Sequence, residues 1–380
     1  MIEETIRVAH VIGKWLGGGV ESVVMNYYRN IDRDKIQFDF ICDEDSTNIP
    51  YHEIEKNGGR VILIPPYQKI FKYQKKLQEI FRENHYKIIH SHINTLSIFP
   101  LMVAKKEGIP IRIAHSHSTT NKVEWKKNLL KNLLRPFAKI YATEYFACTE
   151  HAGRWLFGNK SFDDGKVYLC NNAIDTTKFL FNEKIRKKKR RELNIDDDIL
   201  VIGHIGRFVK QKNHEFLMEI FSEVHKKNPN THLILVGQGP LEERVKEKAK
   251  SLNLLDSIDF LGQRDDVNEI YQAFDIFVLP SLYEGLGMVL IEAQYSGLYC
   301  IASDEVPNVA KIGNNLEFLS IKNGKNEWCR SILKKGEFYN RKDNEIIDSE
   351  YNIEIEAKRL QNKYFKLKEE NDVSSNEKRK

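Results

Sequence analysis

The sequence has no apolar run of the about 18 residues that a membrane-spanning helix requires. Its first residues, Met1-Ile-Glu-Glu, lack the basic-then-apolar order of a secretory signal peptide. Its five cysteines are scattered, without the close pairs that zinc sites or disulfide frameworks show. These absences predict a soluble cytoplasmic protein whose cysteines are reduced and mostly buried.

The bulk composition is that of a globular protein with more than one core. The chain has 380 residues, of which 41% are hydrophobic and 30% are charged. A chain of this length predicts two domains of about 150–200 residues each. The net charge of +5 is modest but unevenly distributed, so a basic face could meet phosphates, nucleic acid or anionic lipid.

The first half of the chain alternates short apolar runs with polar segments of helical length. The runs are Val8–Ile12, Phe38–Ile41, Val61–Ile64, Ile88–His90, Ile111–Ala114, Tyr145–Cys148 and Val167–Leu169. This alternation predicts a parallel, doubly wound sheet with ligands beyond the carboxyl ends of its strands. Gly17-Gly-Gly19 follows the first run, but the third glycine of the dinucleotide fingerprint is absent, so NAD binding is not predicted.

Histidines follow two of these strands, in Ile89-His-Ser-His92 and in Ala114-His-Ser-His-Ser118. We interpret His90 and His92 as satisfied polar residues, and the second pair as better placed for catalysis. No nearby carboxylate or cysteine completes a metal ligand set around these histidines, so no metal site is predicted there.

The most informative stretch is Pro280 to Ala293, which reads as a loop and a helix start after the buried strand Ile276–Leu279. Gly285 and Gly287 let the backbone approach a ligand closely, and the following helix N-terminus favours an anion. Glu284 and Glu292 lie eight residues apart, so both carboxylates can flank one bound molecule. The alternative interpretation is a capped helix in an ordinary α/β domain.

Charged segments lie on both sides of another predicted strand, Leu200–Ile205, in the second half of the chain. In Gly206-Arg-Phe-Val-Lys-Gln-Lys212, Arg207 and Lys212 can reach one diphosphate, with Lys210 as a solvated neighbour. The basic run Lys184 to Arg191 lacks the stacking aromatics of single-strand binders, so we predict a solvated helix and no nucleic-acid partner. Asp196-Asp-Asp198 precedes a strand instead of ending one, so it does not predict a metal site.

These motifs, with Val236-Gly-Gln-Gly-Pro240 and Asn171-Asn-Ala-Ile-Asp175, resemble those of retaining glycosyltransferases of the two-Rossmann-domain (GT-B) type. The chain is similar in this respect to bacterial capsular and exopolysaccharide glycosyltransferases, from about Ile6 to Ser303. The resemblance implies an α/β fold with two Rossmann-like domains facing a central cleft. We place the acceptor-side domain at 1–178, the donor-binding domain at 179–350, a C-terminal helix returning to the first domain at 351–370, and a disordered tail at 371–380.

The resemblance also implies roles for single residues. Arg207 and Lys212 hold the donor diphosphate, Glu292 takes the ribose hydroxyls, and His117, with His115 as second choice, orients the donor sugar. The remaining implied contacts are the sugar and phosphate site (Glu284, Gly285, Leu286, Gly287, Met288), the turn at Gly237, the backbone at the base (Leu261, Gly262) and the acceptor-side loop (Gly18, Gly19). No metal and no cofactor are implied.

The predicted function is therefore metal-independent, retaining transfer of a hexose unit from a nucleotide sugar, a UDP-sugar by preference. The acceptor is a hydroxyl of a growing glycan or of a lipid-linked sugar. Two alternatives are a nucleotide-sugar epimerase of the same fold and a non-catalytic sugar-nucleotide-binding partner of a polymerising complex.

Trp125 to Phe137 has the spacing of a basic amphipathic helix, with Lys126, Lys127, Lys131 and Arg135 between its apolar residues. Such a helix either packs on its own domain or lies on anionic membrane. The second alternative would place the protein at the inner face of the cell membrane.

Overall fold

The computed structural model describes residues 5–117, 132–341, 346 and 350–377, and side chains up to residue 374. The chain divides into two compact units. Unit 1 comprises Met1–Ile174 and Glu350–Lys380, and unit 2 comprises Asp175–Ser349.

Unit 1 contains a sheet of seven strands. They are β1 (Ile6–Gly13), β2 (Ile36–Asp43), β3 (Arg60–Ile64), β4 (Ile88–Ser91), β5 (Ile111–Ser116), β6 (Glu144–Ala147) and β7 (Val167–Leu169). The described helices of this unit are α1 (Gly19–Asn30), α2 (Tyr51–Lys56), α3 (Ile70–Asn84), α4 (Ile98–Lys106), α5 (Glu150–Phe157), α6 (Asn159–Asp163) and α14 (Ile353–Glu377). All strand pairs are parallel, in the order β3-β2-β1-β4-β5-β6-β7. The seven strands predicted from the apolar runs are thereby confirmed.

The two faces of this sheet bury separate cores, because alternate residues of a strand point to opposite faces. Val8 packs with α1 and α14 on one face, whereas Ala9 and Val11 pack with α3 and α4 on the other. A parallel sheet buried on both faces is the usual reason that its strands read as near-continuous apolar runs.

The C-terminal helix α14 belongs to unit 1. Ala357, Leu360 and Tyr364 are buried against the core that α1 and β1 share. The predicted helix is therefore present, but the prediction of a disordered tail from residue 371 is wrong for 371–377, because α14 continues to Glu377. The polar residues that suggested disorder extend the helix beyond its buried part.

Unit 2 contains a sheet of six parallel strands. They are β8 (Leu200–Ile205), β9 (Thr231–Val236), β10 (Ile258–Phe260), β11 (Ile276–Leu279), β12 (Tyr299–Ser303) and β13 (Leu316–Leu319), in the order β10-β9-β8-β11-β12-β13. The described helices are α7 (Thr176–Phe179), α8 (Glu183–Glu192), α9 (His214–Lys227), α10 (Glu242–Ser251), α11 (Val267–Ala273), α12 (Met288–Tyr295) and α13 (Lys325–Phe338). The predicted α/β class with two parallel sheets is confirmed.

The units meet in sequence at Ile174, which the backbone fixes to unit 1. The Ile174 N–H donates to the Tyr351 carbonyl at 2.8 Å, and the Ile353 N–H donates to the Ile174 carbonyl at 3.0 Å. The boundary therefore lies at 174/175, whereas the sequence placed it at 178/179. Helix α7 falls in unit 2 for this reason.

The basic helix α8 is present as predicted, but part of it is not solvated. Lys189 and Arg190 are buried. Lys189 Nζ lies 2.8 Å from Asp266 Oδ2, and Arg190 Nη1 lies 3.2 Å from Asp275 Oδ2. Acidic side chains of the same unit compensate these two cations, which sequence reasoning had assigned to a solvated face.

All five cysteines are buried and unpaired, as predicted. Among the described helices, none combines the length and apolar character that crossing a bilayer demands.

Candidate functional site

The loop after β8 presents two basic side chains at the carboxyl edge of the sheet in unit 2. Phe208 anchors this loop, because its ring is buried and its N–H donates to the Gln238 carbonyl at 3.1 Å. Arg207, next to this anchor, is exposed and has no ion pair among the described residues. An unpaired guanidinium on a fixed backbone is well suited to bind an anion.

Lys212 ends the same loop, and its ammonium group contacts a carboxylate from the loop after β11. Lys212 Nζ lies 2.7 Å from Glu284 Oε1, and the two side chains are only 14% and 7% exposed. The carboxylate also accepts from Ser281 Oγ at 2.7 Å and from Gln211 Nε2 at 3.1 Å. The structure thus brings together two residues that the sequence assigned to separate motifs.

The turn after β9 packs against the backbone of the Arg207 loop. Gly237 has a φ of +132°, and a Cβ there would lie 2.3 Å from the Gly206 carbonyl oxygen. A Cβ on Gly239 would lie 2.5 Å from the Phe208 carbonyl oxygen. Only glycine fits at these two positions, so the turn packs closely against the loop that carries Arg207 and sets the position of its backbone.

The loop after β11 ends at Gly287, which has a φ of +82° and precedes α12. The first N–H groups of a helix have no partner within the helix, and the helix dipole favours an anion at this end. Leu286 is buried and holds the loop, while Gly285 is exposed. Gly285, Leu286, Gly287 and Met288 therefore form a backbone turn with the chemistry of a phosphate site.

Glu292 lies one turn into α12 and is partly buried. Its Oε2 lies 2.9 Å from the Tyr271 hydroxyl, which is also 3.0 Å from the Val289 carbonyl oxygen. Burial raises the pKa of Glu292 to about 7, and the Tyr271 hydrogen bond and the Lys212 charge offset part of the increase. A ligand that donates hydroxyl hydrogen bonds to this carboxyl stabilises its charged form.

Some backbone groups of the turn after β10 already make hydrogen bonds within unit 2. The Leu261 N–H donates to the Leu235 carbonyl at 2.9 Å, and the Gly262 carbonyl accepts from the Gly237 N–H at 2.8 Å. A carbonyl oxygen has a second lone pair, so Gly262 keeps one acceptor position for a ligand.

In unit 1, the glycine loop after β1 is exposed. Gly18 caps α1, and a Cβ on Gly19 would contact nothing within 4 Å. The Glu21 carboxylate closes the loop by accepting from the Leu16 N–H at 2.9 Å. This open, fixed turn is compatible with the predicted approach of an acceptor, which stays a prediction.

Five histidines form a cluster on the face of the unit 1 sheet that α1 and α14 cover, and each is 7% exposed or less. We call this group the histidine cluster: His10, His90, His92, His115 and His117. The period of two along β1, β4 and β5 explains why all five share one face.

His92 joins the first chain of rings in the cluster. Its Nε2 lies 2.9 Å from His10 Nδ1, and its Nδ1 lies 2.8 Å from His117 Nε2. Burial lowers the pKa of His10 and of His117 to about 3, so both rings are neutral at physiological pH. His117 is therefore held within a buried chain of rings, and its predicted contact with a donor sugar stays a prediction.

His90 joins a second chain. Its Nε2 lies 2.9 Å from His115 Nδ1, and its Nδ1 lies 2.7 Å from the Tyr364 hydroxyl on α14. Burial lowers the pKa of His90 and His115 well below the usual range. His90 and His92 thus make polar contacts, as the sequence predicted. Their partners are other histidines and, for His90, the Tyr364 hydroxyl.

Sequence reasoning missed Ser281, Gln211 and Tyr271, which hold the two glutamates, and it missed His10. The signal for His10 was available, because it occupies the same strand face as Val8 and Ile12. The pairing of Lys212 with Glu284 had no signal, since the two residues are 72 positions apart.

Two family profiles match the chain in succession. Glycosyltransferase Family 4 matches residues 17–178, and Glycosyl transferases group 1 matches residues 185–334. The putative glycosyltransferase EpsF of Bacillus subtilis is 35% identical over 334 residues, which cover 86% of this chain and 87% of EpsF.

Two further similarities extend over most of the chain. The UDP-Gal:alpha-D-GlcNAc-diphosphoundecaprenol alpha-1,3-galactosyltransferase of Escherichia coli is 25% identical over 325 residues. This alignment covers 82% of this chain and 83% of the galactosyltransferase. The crystal structure of Anabaena HepE in complex with UDP-glucose gives a TM-score of 0.74 at 17% identity, covering 97% of this chain and 100% of HepE. At that identity, the second match bears on the fold alone.

Proposed function

Because the chain belongs to the glycosyltransferases of the GT-B type, we propose that it transfers a hexose unit from a UDP-sugar to a hydroxyl of a growing glycan. The observation that carries the donor assignment is the Lys212–Glu284 pair. It joins a cation suited to a diphosphate and a carboxylate suited to sugar hydroxyls at one edge of unit 2. The E. coli relative, which is named for a UDP-sugar, supports the choice of donor.

In this proposal the diphosphate lies between Arg207, Lys212 and the N-terminus of α12. Lys212 is already paired with Glu284, whereas Arg207 carries an uncompensated charge. Arg207 therefore supplies most of the attraction, and Lys212 supplies directed hydrogen bonds. Two cations and a helix N-terminus can balance the leaving diphosphate, which supports a reaction that needs no divalent metal.

The nucleoside lies toward Glu292 and the Leu261–Gly262 turn. The Glu292 carboxyl is oriented by Tyr271, and a carboxylate can accept bonds from both ribose hydroxyls. Glu284 and the backbone from Gly285 to Met288 take the sugar and its phosphate. His117 is assigned to the donor sugar as an orienting residue.

The chemical step retains the configuration of the anomeric carbon. The bond from that carbon to the phosphate oxygen breaks while the acceptor oxygen bonds to the same face, and the acceptor proton passes to the departing phosphate. The Glu-x7-Glu motif shared with retaining glycosyltransferases supports this step.

We propose a lipid-linked acceptor at the cytoplasmic face of the membrane. The name of the E. coli relative specifies a diphosphoundecaprenol-linked acceptor. Of the predicted basic helix, Trp125 to Phe137, residues 125–131 lie outside the described residues, and residues 132–137 are described. In its described part, Leu133 is 65% exposed and Phe137 is 44% exposed, with Arg135 between them. Exposed apolar side chains in a segment rich in basic residues support contact with anionic lipid.

The experiment that tests the function is a screen of nucleotide sugars against undecaprenyl-diphosphate-linked sugars, with mass spectrometry of the products. We expect one UDP-hexose to extend an acceptor by one hexose. A screen that gives no extension in any combination, from folded protein that binds UDP, would contradict the proposal. An incubation without acceptor that converts the donor to its epimer would favour the epimerase alternative.

Calorimetry of UDP binding tests metal independence separately. We expect UDP to bind in excess EDTA as it does without chelator. Loss of binding on chelation would show that the two cations do not suffice.

A further inference from the structure

We propose that the histidine cluster of unit 1 binds one divalent transition-metal ion, such as Zn²⁺, through three imidazole nitrogen atoms. Two overlapping triads offer the ligands, His10 with His90 and His92, and His92 with His115 and His117. Within each triad the candidate nitrogen atoms lie within 4.8 Å of one another. His92 belongs to both triads and is the central ligand of the proposal.

The hydrogen bonds of the cluster leave nitrogen atoms unused. A neutral imidazole has one N–H donor and one lone pair, so a chain of three neutral rings ends in one unpaired N–H and one unpaired lone pair. His10 Nε2 and His115 Nε2 are buried and have no hydrogen-bond partner among the described residues. A buried N–H without an acceptor is destabilising, and ring–ring hydrogen bonds alone leave such groups in this cluster.

A metal ion would replace ring–ring hydrogen bonds, because it binds the lone pairs of its ligand rings. Each ligand ring then keeps its proton on the other nitrogen, which needs an acceptor outside the set of ligands. The Tyr364 hydroxyl can serve His90, and the Asn172 side chain can serve His117. The 2.8 Å and 2.9 Å contacts of His92 with its two neighbours show that ring nitrogens already approach one another in pairs.

The space at the cluster fits an ion and excludes an organic ligand. A cavity lined by all five histidines has a volume of about 10 Å³, which is close to the volume that one water-sized sphere needs. Its other walls include Val23, Phe38 and Leu360. An apolar wall around nitrogen ligands limits solvent access, which is a usual setting for a metal site.

The donor set selects the class of metal. Imidazole suits Zn²⁺, Cu²⁺ and Ni²⁺, whereas Mg²⁺ and Ca²⁺ prefer oxygen ligands. The sequence-based prediction excluded a metal because no carboxylate or cysteine lies near these histidines in the sequence, but three histidines suffice as the protein ligands of a zinc site. Cys170 also lines the cavity.

The test measures retained metal. The full chain, without a polyhistidine tag, is produced in medium supplemented with Zn²⁺ and passed through gel filtration in EDTA, and its metal is counted by mass spectrometry. We expect about one equivalent of Zn²⁺ per chain. His92→Gln should lower the retained metal about tenfold or more, since even loss of an outer-shell partner costs metal sites 10–100-fold. His204→Gln, which alters a buried histidine of unit 2, is the matched control and should retain the ion.

Single variants in each triad locate the site and protect the test against misfolding of His92→Gln. Loss of metal in His10→Gln assigns the first triad, and loss in His115→Gln assigns the second. Retention in both single variants with loss in the double variant also supports the proposal. Folded wild-type protein without retained metal, or metal retained by a folded His92→Gln or by the double variant, would overturn it.

A stability measurement gives an independent readout. Because binding to the folded state alone raises stability, the zinc-loaded chain should melt at a higher temperature than chain produced without zinc, and the shift should vanish in His92→Gln. Equal melting temperatures would count against the site. These readouts do not depend on transferase activity, so this proposal and the proposed function can fail separately.

Discussion

At the scale of single residues, Glu284 forms an ion pair with Lys212 that the sequence did not predict. Glu284→Gln keeps the shape of the side chain but removes the charge that compensates Lys212. We expect UDP affinity to stay constant or to rise, because the Lys212 charge becomes available to the diphosphate. Turnover should fall about 100-fold, since misplacement of a positioning group by about 1 Å costs that much. Calorimetry beside steady-state kinetics checks this, and an equal loss in affinity and turnover would contradict it.

Glu292 predicts a pH dependence of donor binding. Its pKa is raised to about 7 by burial, and the charged carboxylate is the better acceptor for ribose hydroxyls. The affinity for a UDP-sugar should therefore increase as pH rises through about 7. The stability of the free protein has the opposite pH dependence. A carboxyl with a raised pKa stabilises the folded state at low pH, and this contribution is lost as pH rises through about 7.

A UDP-sugar is the appropriate probe for this effect, since a terminal phosphate itself titrates near pH 6. Glu292→Gln is the control, and its affinity should not vary with pH in this range. An equal pH dependence in wild type and Glu292→Gln would show that another group is responsible.

Arg207 and Lys212, which we call the clamp because we assign both to the donor diphosphate, should affect turnover differently from their neighbour Lys210. Negative charge grows on the diphosphate as its bond to the sugar breaks, so Arg207→Ala and Lys212→Ala should lower turnover more than donor affinity. Loss of one such donor typically costs about 10²–10³ in rate. Lys212→Ala also leaves the mostly buried Glu284 carboxylate without its cation, so thermal melting must accompany the kinetics.

Lys210→Ala is the matched control in the same loop, since Lys210 is exposed. Its kinetics should be nearly those of the wild type. If Lys210→Ala were as impaired as the Arg207 and Lys212 variants, the assignment of the clamp would be wrong.

At the scale of elements, α14 should stabilise unit 1 through its buried stripe only. Leu360 is 2% exposed in the shared core, whereas Val373 on the same helix is 57% exposed. Leu360→Ala should lower the free energy of unfolding by about 2–5 kcal/mol, and Val373→Ala should change it by less than about 0.5 kcal/mol. Urea unfolding measures both, and equal effects would contradict the packing of α14.

The elements were largely predictable because parallel strands buried on both faces leave continuous apolar runs in the sequence. The runs around Val8 and Ile113 show this directly. What failed was local: polarity near residue 371 suggested disorder although α14 continues, and the charges of Lys189 and Arg190 suggested solvent although Asp266 and Asp275 compensate them. The second error concerns contacts made far along the chain, which periodicity does not record.

The site was predictable in its residues but not in its contacts. Glycines and charges after strands mark the edge where parallel strands end, so Arg207 and Glu284 could be found from spacing. The Lys212–Glu284 pair and the orientation of Glu292 by Tyr271 depend on which strands are neighbours. That order is set by the whole sheet, in which β8 lies beside β11.

At the scale of the whole molecule, the uneven charge predicts weak membrane association. Each basic residue near an anionic surface contributes about 1 kcal/mol, so several suffice for salt-sensitive binding. Replacing Lys126, Lys127 and Lys131 with Glu should abolish sedimentation with anionic vesicles. The same exchange at Lys246, Lys248 and Lys250 of α10 serves as the control, and sedimentation that is unchanged by the first set would refute this surface.

The central claim, that the chain moves a hexose from a UDP-sugar without inverting it and without an added metal, is tested most directly by NMR of one reaction. The purified chain, its donor and a lipid-linked acceptor are combined in excess EDTA, and the anomeric signals are followed in time. We predict a new glycosidic linkage with the configuration of the donor, formed in step with free UDP. An inverted linkage, an epimerised donor, or transfer that starts only when a divalent metal is restored would contradict the claim.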